Sequence, residues 1–266
     1  MGRGFYALLH PAGSTILSYL PIAQFYEKKN NSNEYKSTFR NFLDISYSDL
    51  RRLVRCIEIY LTECVEKIPI TKLSQDIINS KPNAVLCFNY THTYVTNYCT
   101  EKVVNIHYLH GETGHQSFSD NNMVLGIDEY YNDKEKDKHT NYNIYKKFTQ
   151  RIINETGFLY RDWIYKMDDI AYKLRNYPTL EDTSGNFPNN VYIFGHSLDI
   201  TDKDVIKDLI NRNGVKTTIF YYDKQQQSQQ IANLVKMLGQ DNFIDMVNNA
   251  PRKISFVHQQ SMKSNE

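Results

Sequence analysis

The sequence predicts an α/β protein with a Rossmann-like, mostly parallel sheet and helices on both faces. Residues 84–88 and 103–109 form short apolar runs, long enough for buried strands and too short for helices. Residues 191–195 form a third such run, followed by a polar loop and a helical pattern. Strands that alternate with helices in this way are typical of a parallel sheet covered on both faces.

Hydrophobic periodicity and turn residues predict the other elements. Apolar residues recur at three- and four-residue steps from 47 to 67, which indicates an amphipathic helix. Thr201 and Asp204 fit a capping box at the start of a helix over 205–211. Residues 1–45 are expected to be an irregular N-terminal segment and residues 46–266 an α/β domain. Further helices are predicted at 70–80, 143–154, 159–175, 226–238 and 243–248, and further strands at 123–126, 217–222 and 253–257.

Composition limits the classes of partner. The 266 residues carry a formal net charge of +1, so no overall field draws the chain to nucleic acid or to a membrane surface, and neither is expected as a partner. The 21 tyrosines are scattered rather than grouped with Arg and Lys on one element, which argues against base stacking. The four cysteines form no CxxC pair, and no apolar run is long enough to span a membrane. A cytoplasmic location is expected.

Polar side chains follow the first two strands where each strand ends. Asn89 and Thr91 come directly after residues 84–88, and His110 follows residues 103–109. Ligands of open α/β sheets bind outside the carboxyl ends of the strands. An Asn can hold a ribose hydroxyl or a water, and a His can accept its proton. Alternatively, Asn89 and Thr91 cap the next helix and His110 is a satisfied buried side chain.

A second candidate site follows residues 191–195. Gly195 and Ser197 suggest the Gly-x-Ser-x-Gly nucleophile elbow, but Asp199 stands where the closing glycine is needed for the strained turn. Serine-hydrolase chemistry is therefore not favoured.

A third candidate is a metal site formed by histidines. His107 and His110 would point to opposite faces of one strand. His92 and His115 lie nearby in sequence, but the cysteine and carboxylate partners of a zinc motif are missing around all four histidines. We expect no metal.

Several motifs in order along the chain resemble the AbiH family of bacteriophage abortive-infection proteins. The resemblance runs from about residue 47 to the C-terminus. Its motifs are Phe88-Asn-Tyr-Thr91, Tyr108-Leu-His110-Gly111, Val124-Leu-Gly126, Tyr145-Lys-Lys-Phe-Thr-Gln-Arg151, and Phe194-Gly-His-Ser-Leu-Asp199 with Asp202.

That family is in turn similar to sirtuin-like Rossmann domains that cleave NAD. The resemblance implies that Asn89 positions the nicotinamide ribose and a water, and that His110 acts as general base. It implies NAD as substrate or ligand, without a metal. It also implies contacts to the nucleotide from Phe88, Thr91, Gly111, Gly195, Ser197 and Asp199.

The chain departs from the family pattern in two places. Thr91 stands where sirtuin-like domains have an Asp, and Gly2-Arg-Gly-Phe-Tyr6 stands in place of a strand followed by Gly-Asn-Gly-Phe-Asp. Such a turn supplies backbone amides that bind pyrophosphate. We therefore expect an N-terminally truncated copy that lacks the first strand and the Gly-rich loop.

Two functions remain open at this stage. The first is NAD cleavage in anti-phage defence, triggered by a phage product, with a homo-oligomer as one possible state. The second is a non-catalytic sensing or protein-interaction module. A nuclease is disfavoured because no carboxylate cluster for two metal ions is evident.

Overall fold

The computed structural model describes residues 32–99, 104–127, 140–177 and 187–264. The chain divides after Ile57 into two units. The expected loss of a first strand and Gly-rich loop concerns residues 1–31, which lie outside the described residues, as do residues 128–139 of the charged loop.

Eight α-helices lie in the described residues. They are α1 (Ser32–Tyr60), α2 (Gln75–Ser80), α3 (Thr93–Tyr98), α4 (Lys147–Ile153), α5 (Leu159–Asn176), α6 (Lys203–Ile210), α7 (Lys224–Leu238) and α8 (Gln240–Asn248). A π-turn (Leu61–Val65) follows α1, and 3-10 turns (Thr140–Tyr145 and Ile200–Asp202) precede α4 and α6.

The unit that begins at Glu58 carries all the described strands, in three sheets. Two are parallel, β2 (Ala84–Cys87) with β3 (Asn105–Tyr108), and β4 (Asn189–Ile193) with β5 (Val215–Tyr221) and β6 (Ile254–His258). The third pairs β1 (Lys72–Leu73) antiparallel to β7 (Lys263–Ser264). The α/β class and its parallel strands are confirmed, but the described strands form two parallel sheets rather than one continuous sheet.

The first helix begins at Ser32, fifteen residues before its predicted start at residue 47. The reason is that the apolar period of the helix continues upstream of residue 47. Phe39, Leu43 and Leu50 are half-buried and lie four and seven residues apart on one face. Residues 32–45, predicted to be irregular, are therefore helical. The helix predicted at 70–80 is confined to α2, whose first turn is capped by Ser74 accepting from the Ile77 backbone amide at 3.4 Å.

Residues 123–126 do not form the predicted strand. The Val124 backbone N–H donates to the His110 carbonyl at 2.7 Å. The Gln150 side chain accepts from the Leu125 N–H at 3.0 Å and donates to the Leu125 carbonyl at 3.1 Å. A side chain thus satisfies the backbone groups that a neighbouring strand would satisfy, and no strand is needed.

Two buried apolar clusters hold the larger unit together. One lies around the β4–β5–β6 sheet and contains Ile193, Leu198, Ile206, Ile210, Ile219, Leu234, Met237, Phe243 and Ile254. The other contains Leu109, Tyr160, Ile164 and Val205. Phe88, directly after β2, packs against both. Among the described residues, no helix combines the length and apolar character needed to cross a lipid bilayer.

Replacing Leu234 with Ala should lower the free energy of unfolding by about 2–5 kcal/mol, because its side chain is fully buried and leaves a cavity. Ile244→Ala on the neighbouring helix is the control, since Ile244 is exposed, and should cost much less. Urea unfolding followed by circular dichroism measures both. Equal losses would contradict this assignment of the core.

Candidate functional site at the carboxyl ends of the parallel strands

The carboxyl ends of β2, β3 and β4 converge on one region. Phe88 follows β2, His110 lies two residues after β3, and His196 lies three residues after β4. The Phe88 ring centroid is 5.8 Å from that of His110 and 4.4 Å from that of His196, both edge to face. This aromatic contact brings the ends of the two parallel sheets together.

Asp202 lies at the centre of the polar groups. Its Oδ1 is 2.8 Å from Lys147 Nζ and 3.2 Å from His110 Nε2, and its Oδ2 is 3.7 Å from His196 Nε2. We call these four residues the Asp202 cluster. Burial by itself raises the pKa of Asp202, but the contacts from His110 and Lys147 outweigh it and hold the pKa well below its ordinary value. Asp202 is therefore an anion at neutral pH.

The turn before α6 aims Asp202 into the cluster. Asp199 caps the 3-10 turn by accepting from the Thr201 backbone N–H at 3.0 Å. Asp202 occupies the N-cap position of α6 but its side chain makes no capping bond. The predicted capping box of Thr201 and Asp204 is therefore wrong. Since Asp199 caps the turn, the Asp202 carboxylate is available to the cluster.

The protonation of His196 follows from its backbone partner. The Leu198 N–H donates to His196 Nδ1 at 2.8 Å, so the neutral ring carries its proton on Nε2, facing Asp202. Burial lowers the pKa of His196, against a smaller opposing effect of the Asp202 charge. Leu198 adopts a φ of 57° and is fully buried, so this loop holds a strained backbone conformation.

Helix α7 fixes the loop that carries His196. Gln230 Nε2 donates to the His196 carbonyl at 3.1 Å, and Asn233 Nδ2 donates to the Ser197 carbonyl at 2.9 Å. Both amide side chains are buried. They replace the backbone partners that the irregular loop lacks.

The backbone around His110 is equally constrained. Its carbonyl accepts from Val124, and the following residue, Gly111, has a φ of 79°. A Cβ at Gly111 would lie 2.3 Å from the Asn122 carbonyl oxygen. Only glycine fits this turn. The side chain of His110 is buried. Among the described residues its Nδ1 has no hydrogen-bond partner, and its Nε2 has only the 3.2 Å ion-pair contact with Asp202.

Tyr90 closes one side of the site. Its hydroxyl donates to the Val124 carbonyl at 2.7 Å. Burial, and then the Asp202 charge, raise the pKa of Tyr90 to about 12. Tyr90 therefore remains a neutral phenol. Its hydroxyl proton is bonded to the carbonyl of Val124, whose own N–H donates to the His110 carbonyl.

The cluster lies within the part of the chain that matches a known family. The family model of bacteriophage abortive infection AbiH matches residues 13–223. The chain belongs to the AbiH family. No curated protein and no solved structure shows significant similarity to it. Membership supports a role of this AbiH protein in abortive-infection defence against phage.

The structure separates the two residues predicted to catalyse. His110 lies in the Asp202 cluster. Asn89 is exposed, and its carbonyl accepts from the Cys87 thiol at 3.3 Å. Thr91 forms a hydrogen bond with Thr93 at 3.0 Å between their hydroxyls. The roles predicted for these residues stay predictions, with His110 inside the cluster and Asn89 exposed at the surface directly after Phe88.

The predicted nucleotide-binding residues after β4 lie on one exposed loop. Gly195 has a φ of 62°, and Ser197 is exposed apart from its bonded carbonyl. Asp199 is also exposed and serves as the cap described above. Phe88 and Gly111, in contrast, lie directly beside His110.

Pattern analysis did not single out Lys147, His196 or Asp202. Lys147 lies 55 residues before Asp202, and no sequence period relates them. Each of the three does fall within a motif that resembles the family. Their position in these motifs was the feature of the sequence that could have pointed to them.

Of the other described histidines, His92 and His107 make structural contacts. His92 donates its backbone N–H to Glu66 Oε1 at 2.9 Å, and its ring lies 3.0 Å from Glu66 and 3.0 Å from Glu112. Burial raises the pKa of Glu66, but hydrogen bonds from Thr113 and His92 outweigh it and lower the pKa. His107 bonds the Thr156 carbonyl at 2.9 Å. In the described ranges, no three His, Cys, Asp or Glu side chains are grouped as metal ligands.

Gly111→Ala should destabilise the protein by about 3 kcal/mol or more, because a positive φ and a backbone clash coincide there. Gly195→Ala is the matched control. It has a similar φ but nothing within 4 Å of the new Cβ, so we expect a cost of about 1 kcal/mol. Thermal unfolding of both variants measures the difference. A smaller loss for Gly111→Ala would show that Asn122 does not constrain this turn.

Asp202→Asn should lower the free energy of unfolding by about 2–3 kcal/mol at pH 7, since Lys147 then keeps a partly buried charge without its counter-ion. The folded-state pKa of Asp202 lies below its ordinary value of 3.8. The stabilisation is therefore complete above that value and is lost as pH falls below it toward the folded-state pKa. Urea unfolding across this range should show the difference between wild type and variant shrinking with acid.

The control for that series is Asp169→Asn, because Asp169 forms an exposed pair with Lys173 of little expected worth. A difference between wild type and Asp202→Asn that stays constant with pH would mean that Asp202 has the same pKa in the folded and the unfolded protein, and would contradict its stabilisation by Lys147 and His110.

Proposed function

We propose that this AbiH protein acts in phage defence by hydrolysing NAD at the nicotinamide–ribose bond, with His110 as general base. The observation that carries the proposal is the placement of His110. Its ring is buried at the carboxyl ends of the parallel strands, with Nε2 3.2 Å from the Asp202 carboxylate and Nδ1 without a partner among the described residues. The resemblance to sirtuin-like domains supplies the substrate.

The Asp202 carboxylate suits His110 for this role. A negative charge beside Nε2 favours the tautomer with its proton there, which leaves Nδ1 as an acceptor. The same charge stabilises the imidazolium that forms when Nδ1 takes a proton, as in carboxylate–histidine pairs of hydrolases. Lys147, at 2.8 Å from Asp202, keeps the carboxylate ionised.

The proposed reaction replaces nicotinamide by water at the anomeric carbon of the ribose. The carbon–nitrogen bond breaks and its electron pair leaves with nicotinamide. The water oxygen bonds to the carbon, and the water proton passes to His110. General-base assistance of this kind contributes about 10²- to 10⁴-fold to a rate.

Aromatic rings lie close to His110. The Phe88 ring is edge to face with both His110 and His196, at centroid distances of 5.8 Å and 4.4 Å. Asn89 and the exposed loop of Gly195 and Ser197 would meet the polar parts of the nucleotide at the surface. The proposal also takes β2 and β4 to be neighbours in a Rossmann-like order, which the 4.4 Å contact of Phe88 with His196 supports.

The burial of the cluster side chains favours a second function. The side chains of His110, His196 and Asp202 are 12% exposed or less. A buried set of paired charges is also what the structural core of a non-catalytic sensing or interaction module would contain. The two functions predict different behaviour of His110 variants in cells.

In cells challenged with phage, wild type should reduce both plaque number and cellular NAD, and His110→Gln should do neither. The purified chain should release nicotinamide at a rate that falls about 100-fold or more in His110→Gln. The matched control is His258→Gln, which changes an exposed histidine at the end of β6 and should behave as wild type. Thermal unfolding confirms that both variants fold.

Protection by His110→Gln without NAD loss would support the interaction module and refute the hydrolase. Unchanged NAD in protected wild-type cells would do the same. Asn89→Ala adds a finer test. A loss of release equal to that of His110→Gln would place the exposed Asn89 in the reaction.

A further inference from the structure

A concave surface lies beside α6 and includes none of the Asp202 cluster residues in its lining. It is a groove of about 870 Å³ between α5, α6 and α7, within the size range of ligand sites. Arg161 and Tyr165 contribute from α5, Lys207 from α6 and Lys236 from α7. None of the four cluster residues lines it, although Lys203 and Asp204 in its lining directly follow Asp202 along the chain.

The groove is strongly basic, unlike the chain as a whole. Five Lys and Arg side chains line it, against two carboxylates, those of Asp204 and Asp208. Both carboxylates are already neutralised. Asp204 pairs with Arg151 at 2.8 Å, and Asp208 pairs with Arg212. In the lining, positive side chains therefore outnumber carboxylates by three, and one of the five, Arg212, also pairs with Asp168 at 3.3 Å.

Two of the cations have no partner. The side-chain ammonium groups of Lys207 and Lys236 make no hydrogen bond or ion pair with any described residue. The Arg161 guanidinium lies 5.0 Å from the centroid of the Phe158 ring. A hydrogen bond with Tyr160 and, more weakly, the Asp208 charge raise the pKa of Arg161, so it presents a permanent positive charge to the groove. Like charges that share a groove repel one another. An anionic ligand would relieve this repulsion and would be attracted by Arg161, Lys207 and Lys236 together.

An exposed aromatic ring stands among these cations. Tyr165 is 66% exposed and lies one helical turn from Arg161 on the same face of α5. Ile164 and Met237 are buried and add apolar surface to the lining. A basic groove with an accessible ring is the combination by which proteins bind single strands, with phosphates on the cations and a base on the ring.

We propose that this groove binds single-stranded nucleic acid, with Arg161, Lys207 and Lys236 meeting phosphates and Tyr165 stacking on a base. An acidic peptide could use the cations but has no need of the exposed ring. The net charge of +1 and the scattered tyrosines predicted no nucleic-acid partner. The fold brings these residues together on one surface, although Arg161 and Lys236 lie 75 positions apart in sequence.

The test is fluorescence anisotropy of a labelled oligothymidylate of about 15 nucleotides with the purified chain. Lys207→Glu/Lys236→Glu should weaken binding at least about tenfold and reduce the salt slope by about 1.4, the value for two phosphate contacts on a single strand. Tyr165→Ala should weaken it by about tenfold through lost stacking.

The control is Lys166→Glu/Lys216→Glu, which makes the same charge change at exposed positions outside the groove and should leave affinity within about twofold. An equal loss in that control would show attraction to net charge only and overturn the proposal. So would absence of binding by wild type. Displacement of the oligonucleotide by polyglutamate, with unchanged binding by Tyr165→Ala, would assign the groove to acidic peptides instead. Retained binding by His110→Gln would show that the groove works independently of the hydrolysis.

Discussion

The carboxylate of Asp202 joins segments that are far apart in the chain. His110 reaches it from the end of β3, Lys147 from the start of α4, and His196 from the loop after β4. A largely buried carboxylate is costly unless cations and hydrogen-bond donors surround it. The positions of two loops and of the start of α4 are therefore coupled to one charge, and the loss of any one partner would leave that charge less well compensated.

The irregular backbone around this charge is held by side chains rather than by strands. Gln230 and Asn233 satisfy carbonyls of the loop after β4, and Gln150 satisfies the segment that was predicted to be a strand. The strained φ of Leu198 persists because these bonds and its own burial determine it. Such preorganisation is what a catalytic or binding site requires, and it explains why loops carry the polar groups here.

The described histidines differ in role because their ring nitrogens have different partners. His107 and His92 are each engaged through both ring nitrogens, so their rings brace the fold. His110 faces a carboxylate on one side and has no described partner on the other. Sequence spacing alone did not separate these environments, because a ring's partners are set by residues up to 92 positions away (110 against 202).

The sequence by itself determined the α/β class, most helices and strands, and the position of His110 after a strand, because periodicity and strand ends are local properties. It failed where a side chain took over a backbone role, as at residues 123–126, and where Asp199 rather than Thr201 capped the turn. Only the tertiary structure decided that Asp202 meets Lys147 and two histidines, and that Lys207, Lys236 and Tyr165 share a groove. Long-range contacts follow from packing of whole elements, which no local pattern encodes.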